Sequence, residues 1–376
     1  MNCTRKTFIS VIALLMGTAT WADVEINETT FPNEEFRSWV LSQSYGQDGV
    51  LTEEEIANVT RITVMAGRDI QSLKGIEYFT ALAHLDCGSN HLTELDVSKN
   101  TALTTLYCGN NQLTALNLSY NDQLTMLDCG RNQLTSLDVS KNVALTNIAT
   151  SYNPLTSLDV SKNTALTDLS CTFNQLTSLD VSNNTALINL FCQSNQLVSL
   201  DVSKNTTLRK LVCKDNMLAS LNVSGCVALE SLRCSGNRLA ELDVTGCPEL
   251  EEIICYSNQI KGEAMDALVA GLSTSRGLLG VINYKDEQNV MTKTQVAAAK
   301  AKGWYVRYND SNNQWKNYEG SDDTTGISAT LSDKGQMTKD SWYDLQGRKI
   351  GSGKSVPLKG VRGSGIYIEG GKKKVK

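Results

Sequence analysis

From Leu82 to Asn258 the chain repeats itself every 21 residues in the pattern LxxLxCxxNxLxxLDVSxNxx. The opening leucines stand at Leu82, Leu103, Leu124, Leu145, Leu166, Leu187, Leu208, Leu229 and Leu250, with no insertion between them. A fixed period of this length, with leucines three and ten residues after the first position, describes a solenoid in which each turn stacks only on its neighbours.

Within a turn, Leu106 and Cys108 alternate with Thr105 and Tyr107, the period of a strand buried on one face. The inner face is therefore Leu-x-Cys. Asparagines then recur at Asn90, Asn111, Asn132, Asn153, Asn174, Asn195, Asn216, Asn237 and Asn258, where the chain must leave the strand. Their side chains both donate and accept, so a stack of them can pair turn amides that would otherwise be buried without partners. The second half, as in Leu134, Leu137 and Val139, repeats the apolar alternation. Each turn thus carries two short extended segments and leaves no room for a helix of ordinary length.

This arrangement resembles the leucine-rich repeats of bacterial surface proteins, in the nested 21-residue, cysteine-ladder subclass, internalin J-like and shared with many Bacteroidetes surface proteins. The resemblance covers about half the chain. Departures are local: Thr150 stands for cysteine, Ile148 for leucine, and Pro154 follows Asn153. The fold expected is a leucine-rich repeat solenoid of mainly short parallel β-strands, with a helical N-terminal cap, a small α/β C-terminal cap and a short β tail.

Residues 1–22 read as a secretory signal peptide: basic at Arg5 and Lys6, apolar from Phe8 to Met16, and ending in small residues before cleavage after Ala22. No other apolar run approaches the roughly 18–20 residues that span a bilayer. The expected destination is extracellular or on the outer cell surface, not membrane-spanning. A net charge of -5 with both signs interspersed gives no case for nucleic acid as partner.

Eleven cysteines in an exported protein ordinarily suggest a disulfide framework. Here Cys87, Cys108, Cys129, Cys171, Cys192, Cys213, Cys234 and Cys255 all fall on the inward strand position, so a ladder of buried thiols acting as small apolar groups is expected. Cys226 and Cys247 instead occupy the second-half asparagine position in adjacent turns, close enough for a disulfide. No metal site is expected from a linear ladder, which offers no tetrahedral arrangement.

Residues 23–81 form the expected cap, with helices over the stretch from Phe31 to Leu41 and after Thr52, and irregular first turns built on Ile62, Val64, Ile70, Leu73 and Ile76. Between the helices, Ser44, Asp48, Gly49 and Glu55 align on a calcium loop, but Ser44 and Gly46 stand where charged or amide ligands belong. A helix-loop-helix remnant is the reading. The repeats occupy 82–260, an α/β cap 261–309, a flexible linker 310–340 and a β-rich tail 341–376. The tail, with Trp342, Gly347, Arg348, Ile366, Ile368 and its lysines, resembles the C-terminal sorting domains of type IX secretion.

Catalysis has little support: His84 and His91 are the only histidines, and no Ser/His/Asp set, paired-carboxylate site, P-loop or HExxH motif is visible. Comparison of the repeats with one another gives the better clue. Their second half is nearly constant, whereas the outward positions of the first strand vary freely. The last four turns collect Phe191, Lys210, Val212, Lys214, Arg233, Ile254 and Tyr256, joined along the flank by Tyr152 and Phe173 and on an earlier turn by Tyr107. Aromatic and arginine anchors of this kind suit an interface centre. The expectation is a monomeric, cofactor-free binding or adhesion protein that takes an extracellular protein or glycoprotein. A glycan-binding module and a calcium-regulated structural spacer are the alternatives.

Overall fold

The computed structural model describes residues 23–322 apart from 65, 66, 68 and 286, together with the backbone of four strands between 341 and 375. Residues 1–22, where a signal peptide is expected, lie outside the described residues. Two compact units divide the chain, one ending at Gln175 and the other beginning at Leu176.

The first unit opens with strand β1 (Val24–Glu25), helix α1 (Glu34–Ser42), strand β2 (Val50–Leu51) and helix α2 (Glu53–Asn58), and the two strands pair antiparallel. Asn33 starts α1 by accepting the Phe36 N–H, and Thr52 and Glu55 start α2 with a reciprocal capping box. The apolar stripe of α1 buries Phe36, Trp39 and Val40. Phe31 lies against Phe36, Tyr78 and Phe79, tying the helix to the first turns. Close packing explains the loop glycine: a Cβ on Gly46 would stand 2.4 Å from the Val40 carbonyl oxygen. Asp48 and Glu55 of the calcium-like loop both have structural partners. Asp48 Oδ1 accepts the Val50 N–H, and Glu55 Oε2 accepts from the backbone and hydroxyl of Thr52.

Strands β3 (Arg61–Thr63), β4 (His84–Asp86), β5 (Thr105–Tyr107), β6 (Met126–Asp128), β7 (Asn147–Ala149) and β8 (Asp168–Ser170) then run parallel and in register, one per turn. Each is three residues long and buries its middle side chain, from Ile62 through Leu85 and Leu106 to Leu169. The cysteine that follows is fully buried at 87, 108, 129 and 171, and Thr150 fills the fourth-turn position, equally buried.

The second unit continues this scheme with β9 (Asn189–Phe191), β10 (Ser199–Asp201), β11 (Lys210–Val212), β12 (Ser220–Asn222), β13 (Ser231–Arg233) and β14 (Glu252–Ile254). The odd members and β14 form the parallel ladder of first halves. Among the described residues, only β10 and β12 make a ladder of second halves. The second extended segment expected in every turn is elsewhere held by sparser links, such as Gln112 N–H to the Leu92 carbonyl, and is not a strand.

A cap closes this unit: α3 (Glu263–Gly271), β15 (Gly277–Asn283), α4 (Lys293–Ala301), β16 (Trp304–Asn309) and β17 (Trp315–Asn317). Strands β15 and β16 extend the parallel ladder and β17 adds antiparallel at its edge. Residues 310–322 of the linker expected over 310–340 are instead structured, and 323–340 lie outside the described residues. Asp310 is buried, accepts the Asn312 and Gln314 N–H groups, and pairs with Lys316 at 2.5 Å, which turns the chain back into β17. In the tail, β18 (Ser341–Tyr343) pairs antiparallel with β19 (Lys349–Ser352), and β20 (Ile366–Glu369) with β21 (Lys372–Val375).

Two asparagine ladders bind turn to turn. In the first, Asn111 Oδ1 accepts the Leu92 N–H while its Nδ2 donates to the Cys87 and Cys108 carbonyls. In the second, Asn121 Nδ2 donates to the Val97 and Asn100 carbonyls. Cys226 and Cys247 stand in that second ladder, and the disulfide their adjacency suggested is not formed. Each remains a free, buried thiol whose Sγ donates to one carbonyl, Val202 at 3.2 Å and Val223 at 3.3 Å. A thiol supplies the donor that the asparagine would have used, so the side chains point along their carbonyls and not at each other.

Candidate partner-binding site

The outward strand positions differ in what they leave open. In the second unit, in-register pairing aligns Phe191, Val212, Arg233 and Ile254 in one row, and Asn189, Lys210, Ser231 and Glu252 in the next. Lys210 Nζ lies 5.5 Å from the Phe191 ring centroid, a cation–π contact. Arg233 forks onto Glu252 at 2.8 and 2.9 Å, and Ser231 donates to the same carboxylate at 2.6 Å. Partial burial raises the proton affinity of Glu252, but the bonds from Arg233 and Ser231 and the arginine's charge outweigh it and hold the carboxyl below its usual range. Arg209 and Glu230 form a second pair. These residues line a shallow cleft of about 450 Å³.

Two of the expected contact residues are not exposed. Val212 and Ile254 each keep only 6% of their surface. Val212 sits in register between Phe191 and Arg233, whose larger side chains flank it. Ile254 is covered from the cap. The Trp315 ring lies over Gly280, within 2.9 Å of where a Cβ there would stand, and Ile254 Cδ1 approaches the same spot at 2.8 Å. Tyr256 packs on Trp315 with ring centroids 6.1 Å apart. Lys214 is half-buried beside Asp215 at 3.6 Å.

In the first unit, Tyr107 is half-buried, edge-on to His84 at 5.6 Å, with its hydroxyl 3.7 Å from Met126 Sδ. Tyr152 and Phe173 come from a different position. The residue before each ladder asparagine is left-handed: Ser89, Asn110, Arg131, Tyr152 and Phe173 have φ between 51° and 59°. The turn needs this because the left-handed residue's N–H donates to the next turn, as Tyr152 does to the Thr172 carbonyl at 2.9 Å. Left-handed backbone is cheapest for glycine and asparagine, and bulky residues there are outliers. Tyr152 and Phe173 nonetheless occupy it and stay exposed, stacked at 4.3 Å and 10°, with the Arg131 guanidinium 4.2 Å from the Tyr152 ring. Both faces of Tyr152 are thus covered by its neighbours, and its edge and hydroxyl remain.

Reasoning from sequence missed Trp315, Gly280, Arg209 and Glu230. Trp315 lay in the stretch read as linker, and Gly280 in a strand of the α/β cap with no signal that it faces the binding rows. The acidic partners could have been found by noting that Arg209 and Glu230, like Ser231 and Glu252, are one period apart. The cap itself also completes the ladders. Asn289 accepts the Ile260 N–H and donates to Cys255, as the next rung would, and Glu287 accepts the Ser257 N–H where a further turn's carbonyl would stand. Burial pushes the Glu287 carboxyl up to about 7, against the N–H groups of Ser257, Asn289, Asn283 and Gln288 that favour its charged form. Among the described residues no group of three or more His, Cys, Asp or Glu is placed to hold a metal ion, and no helix is long and apolar enough to cross a membrane.

Against solved structures, the chain is similar to the functional domain of internalin J from Listeria monocytogenes, which includes a cysteine ladder: 34% identity, TM-score 0.53, covering 63% of this chain and 58% of that one. The fold is a leucine-rich repeat solenoid. An internalin, InlF, from the same organism matches at 22% identity and TM-score 0.63 over 77% of this chain and 87% of that one. YopM, a leucine-rich effector protein from Yersinia pestis, matches at 23% and 0.53 over 69% and 67%. The chain thus spans a little over half the length of the internalin J domain it matches. No protein-family model matches the sequence, and no curated protein matches it.

Proposed function

We propose that the protein is a non-enzymatic binding or adhesion protein, acting outside the cell or on its outer surface, that takes a protein or glycoprotein partner on the outward strand positions of its second unit. One observation carries the reading. The inward Leu and Cys positions are buried in turn after turn, whereas Phe191, Lys210 and Arg233 on the same strands, and Tyr256 just beyond β14, keep surface to spare and chemistry that the fold does not require. The resemblance to internalin-type proteins, and the basic, apolar and small-residue order of residues 1–22, support the location. The type IX-like sorting role of the tail belongs to the same proposal.

The glycan reading has less support. Sugar rings stack on open aromatic faces, and Tyr152 has given its two faces to Arg131 and Phe173. The test is to recover the partner with the full mature chain by chemical cross-linking and then to measure its affinity for single variants. Phe191→Ala and Tyr256→Ala should each weaken binding by about 1–2 kcal/mol or more. Unchanged affinity in both would remove this face from the account.

A further inference from the structure

The outward rows of the second unit do not stop at the last repeat. Register carries the row of Phe191, Val212, Arg233 and Ile254 onto Gly280 of β15 and Arg307 of β16, and the row of Lys210, Ser231 and Glu252 onto Leu278 and Tyr305. Alternation along β16 puts Trp304 and Val306 inside, so Tyr305 and Arg307 share the outer face. Antiparallel pairing sets Trp315 opposite Asn309, on that same face.

The residues gathered there are unusual for a cap. Tyr305 is 44% exposed and Trp315 39%, on a sheet face whose small central residue, Gly280, leaves room for the indole, which packs tilted against Tyr256. The Arg276 and Arg307 guanidinium carbons lie 5.0 and 6.0 Å from the Tyr305 ring centroid. On the neighbouring repeats Arg209 and Arg233 have carboxylate partners in Glu230 and Glu252. Arg276 and Arg307 pair with no carboxylate among the described residues, and Arg307 Nε is buried without a hydrogen-bond partner. Closing a solenoid end requires apolar inner residues and paired edges, which Trp304, Val306, Asn289 and Glu287 already provide. It does not require two uncompensated guanidiniums around an exposed tyrosine.

We propose that the cap is part of the binding face, and that Arg276, Tyr305, Arg307 and Trp315 form a site for an acidic polypeptide segment whose carboxylates meet the two guanidinium forks while its apolar parts lie on the tyrosine and tryptophan rings. Charge complementarity selects this occupant: a fork matches a carboxylate in bidentate geometry, and the rings supply rigid apolar area beside it. The site rests on the reading of the outward strand positions as the binding face, and it names the chemistry of the partner at the C-terminal end of that face.

The test uses the full mature chain and a fluorescein-labelled peptide of about ten residues alternating glutamate and leucine, followed by anisotropy at low and physiological salt. Binding that weakens with salt, and falls about tenfold in Arg307→Gln and in Arg276→Gln, is the expected result. Titration of the unlabelled peptide should also shift tryptophan fluorescence, and Trp315→Phe should abolish the shift, a readout that holds even if an arginine variant folds poorly. Absence of peptide binding at low salt, equal binding by the arginine variants, or tighter binding of a sulfated oligosaccharide than of the peptide would each overturn the proposal. Phe191→Ala separates the two readings: against the cross-linked partner, a loss there with none in Arg307→Gln would leave the strand face standing and remove the cap site.

Discussion

Asn111 Oδ1 accepts the backbone N–H of Leu92, nineteen residues earlier in the chain, at 3.0 Å and fully inside the protein. The same side chain holds the Cys87 and Cys108 carbonyls at 3.1 Å each. One amide therefore pairs three backbone groups that have no water to turn to. Asn111→Ala should cost about 1–3 kcal/mol, since it leaves the buried Leu92 N–H unpaired while Asn90 and Asn132 still donate to the Cys87 and Cys108 carbonyls. The neighbouring Gln112→Ala, at an exposed position, should stay within about 0.5 kcal/mol. Chemical denaturation of the two variants checks the contrast.

The buried thiols should be inert. Burial pushes Cys129, Cys171 and Cys234 up to about 12, and Cys108 well above its ordinary range, with its ladder neighbours Cys129 and Cys87 adding to the shift. A thiol reagent at neutral pH should label few cysteines in the native protein and nearly all after denaturation. Mass measurement with and without reductant should show no bridge between Cys226 and Cys247. Cys108→Ser should destabilise by about 1–3 kcal/mol, because the strand position offers a hydroxyl no assured partner.

Stability should respond to pH with two opposite slopes. Bonds from the N–H groups of Ser98, Ser203 and Thr245 lower the carboxyls of Asp96, Asp201 and Asp243, so the native state holds their charged form better than the unfolded chain does. That contribution is complete above the ordinary carboxylate range and is lost as pH falls through it. Glu287 runs the other way. Raised from 4.5 to about 7, it keeps its proton longer in the folded state, so folding takes up a proton between those values and stability falls as pH rises. The loss is on the order of 3 kcal/mol. Thermal unfolding from pH 3 to pH 8 should show both limbs, and Glu287→Gln should flatten only the upper one.

Removal of residues 341–376 should leave the melting transition of the repeats unchanged while the protein fails to reach the outer surface. Cell fractionation and a melting curve of the truncated chain decide the matter together. Normal surface delivery would refute the sorting role, and loss of the melting transition would make the tail part of the cap.

Much of the fold was readable from one period. Once Leu85, Leu106 and Leu127 are placed on inward strand positions, a constant spacing leaves Cys87, Cys108 and Cys129 no other place than beside them, and the ladder asparagines follow. Local signals were equally direct where they were complete, as in the Thr52 and Glu55 capping box. What escaped depends on contacts between segments with no shared period. Val212 and Ile254 sit at outward positions, yet larger neighbours and the Trp315 ring cover them, and nothing in a repeat announces a tryptophan sixty residues later. For Cys226 and Cys247 adjacency left a disulfide open, but adjacency alone does not say where a thiol points: each Sγ donates to a carbonyl, Val202 or Val223, that also accepts a backbone N–H. The variable outward face was legible as variation between repeats, while its ion pairs, and its continuation through Tyr305 and Arg307, required the register of β14, β15 and β16.

The central claim is that the outward strand positions, and not the near-constant second halves, hold the partner. The affinity of the cross-linked partner for Phe191→Ala set beside that for Lys162→Ala, an exposed change on the constant half, tests it most directly. A loss of about tenfold for Phe191→Ala with no change for Lys162→Ala is the result expected. Equal losses, or a loss confined to Lys162→Ala, would contradict it.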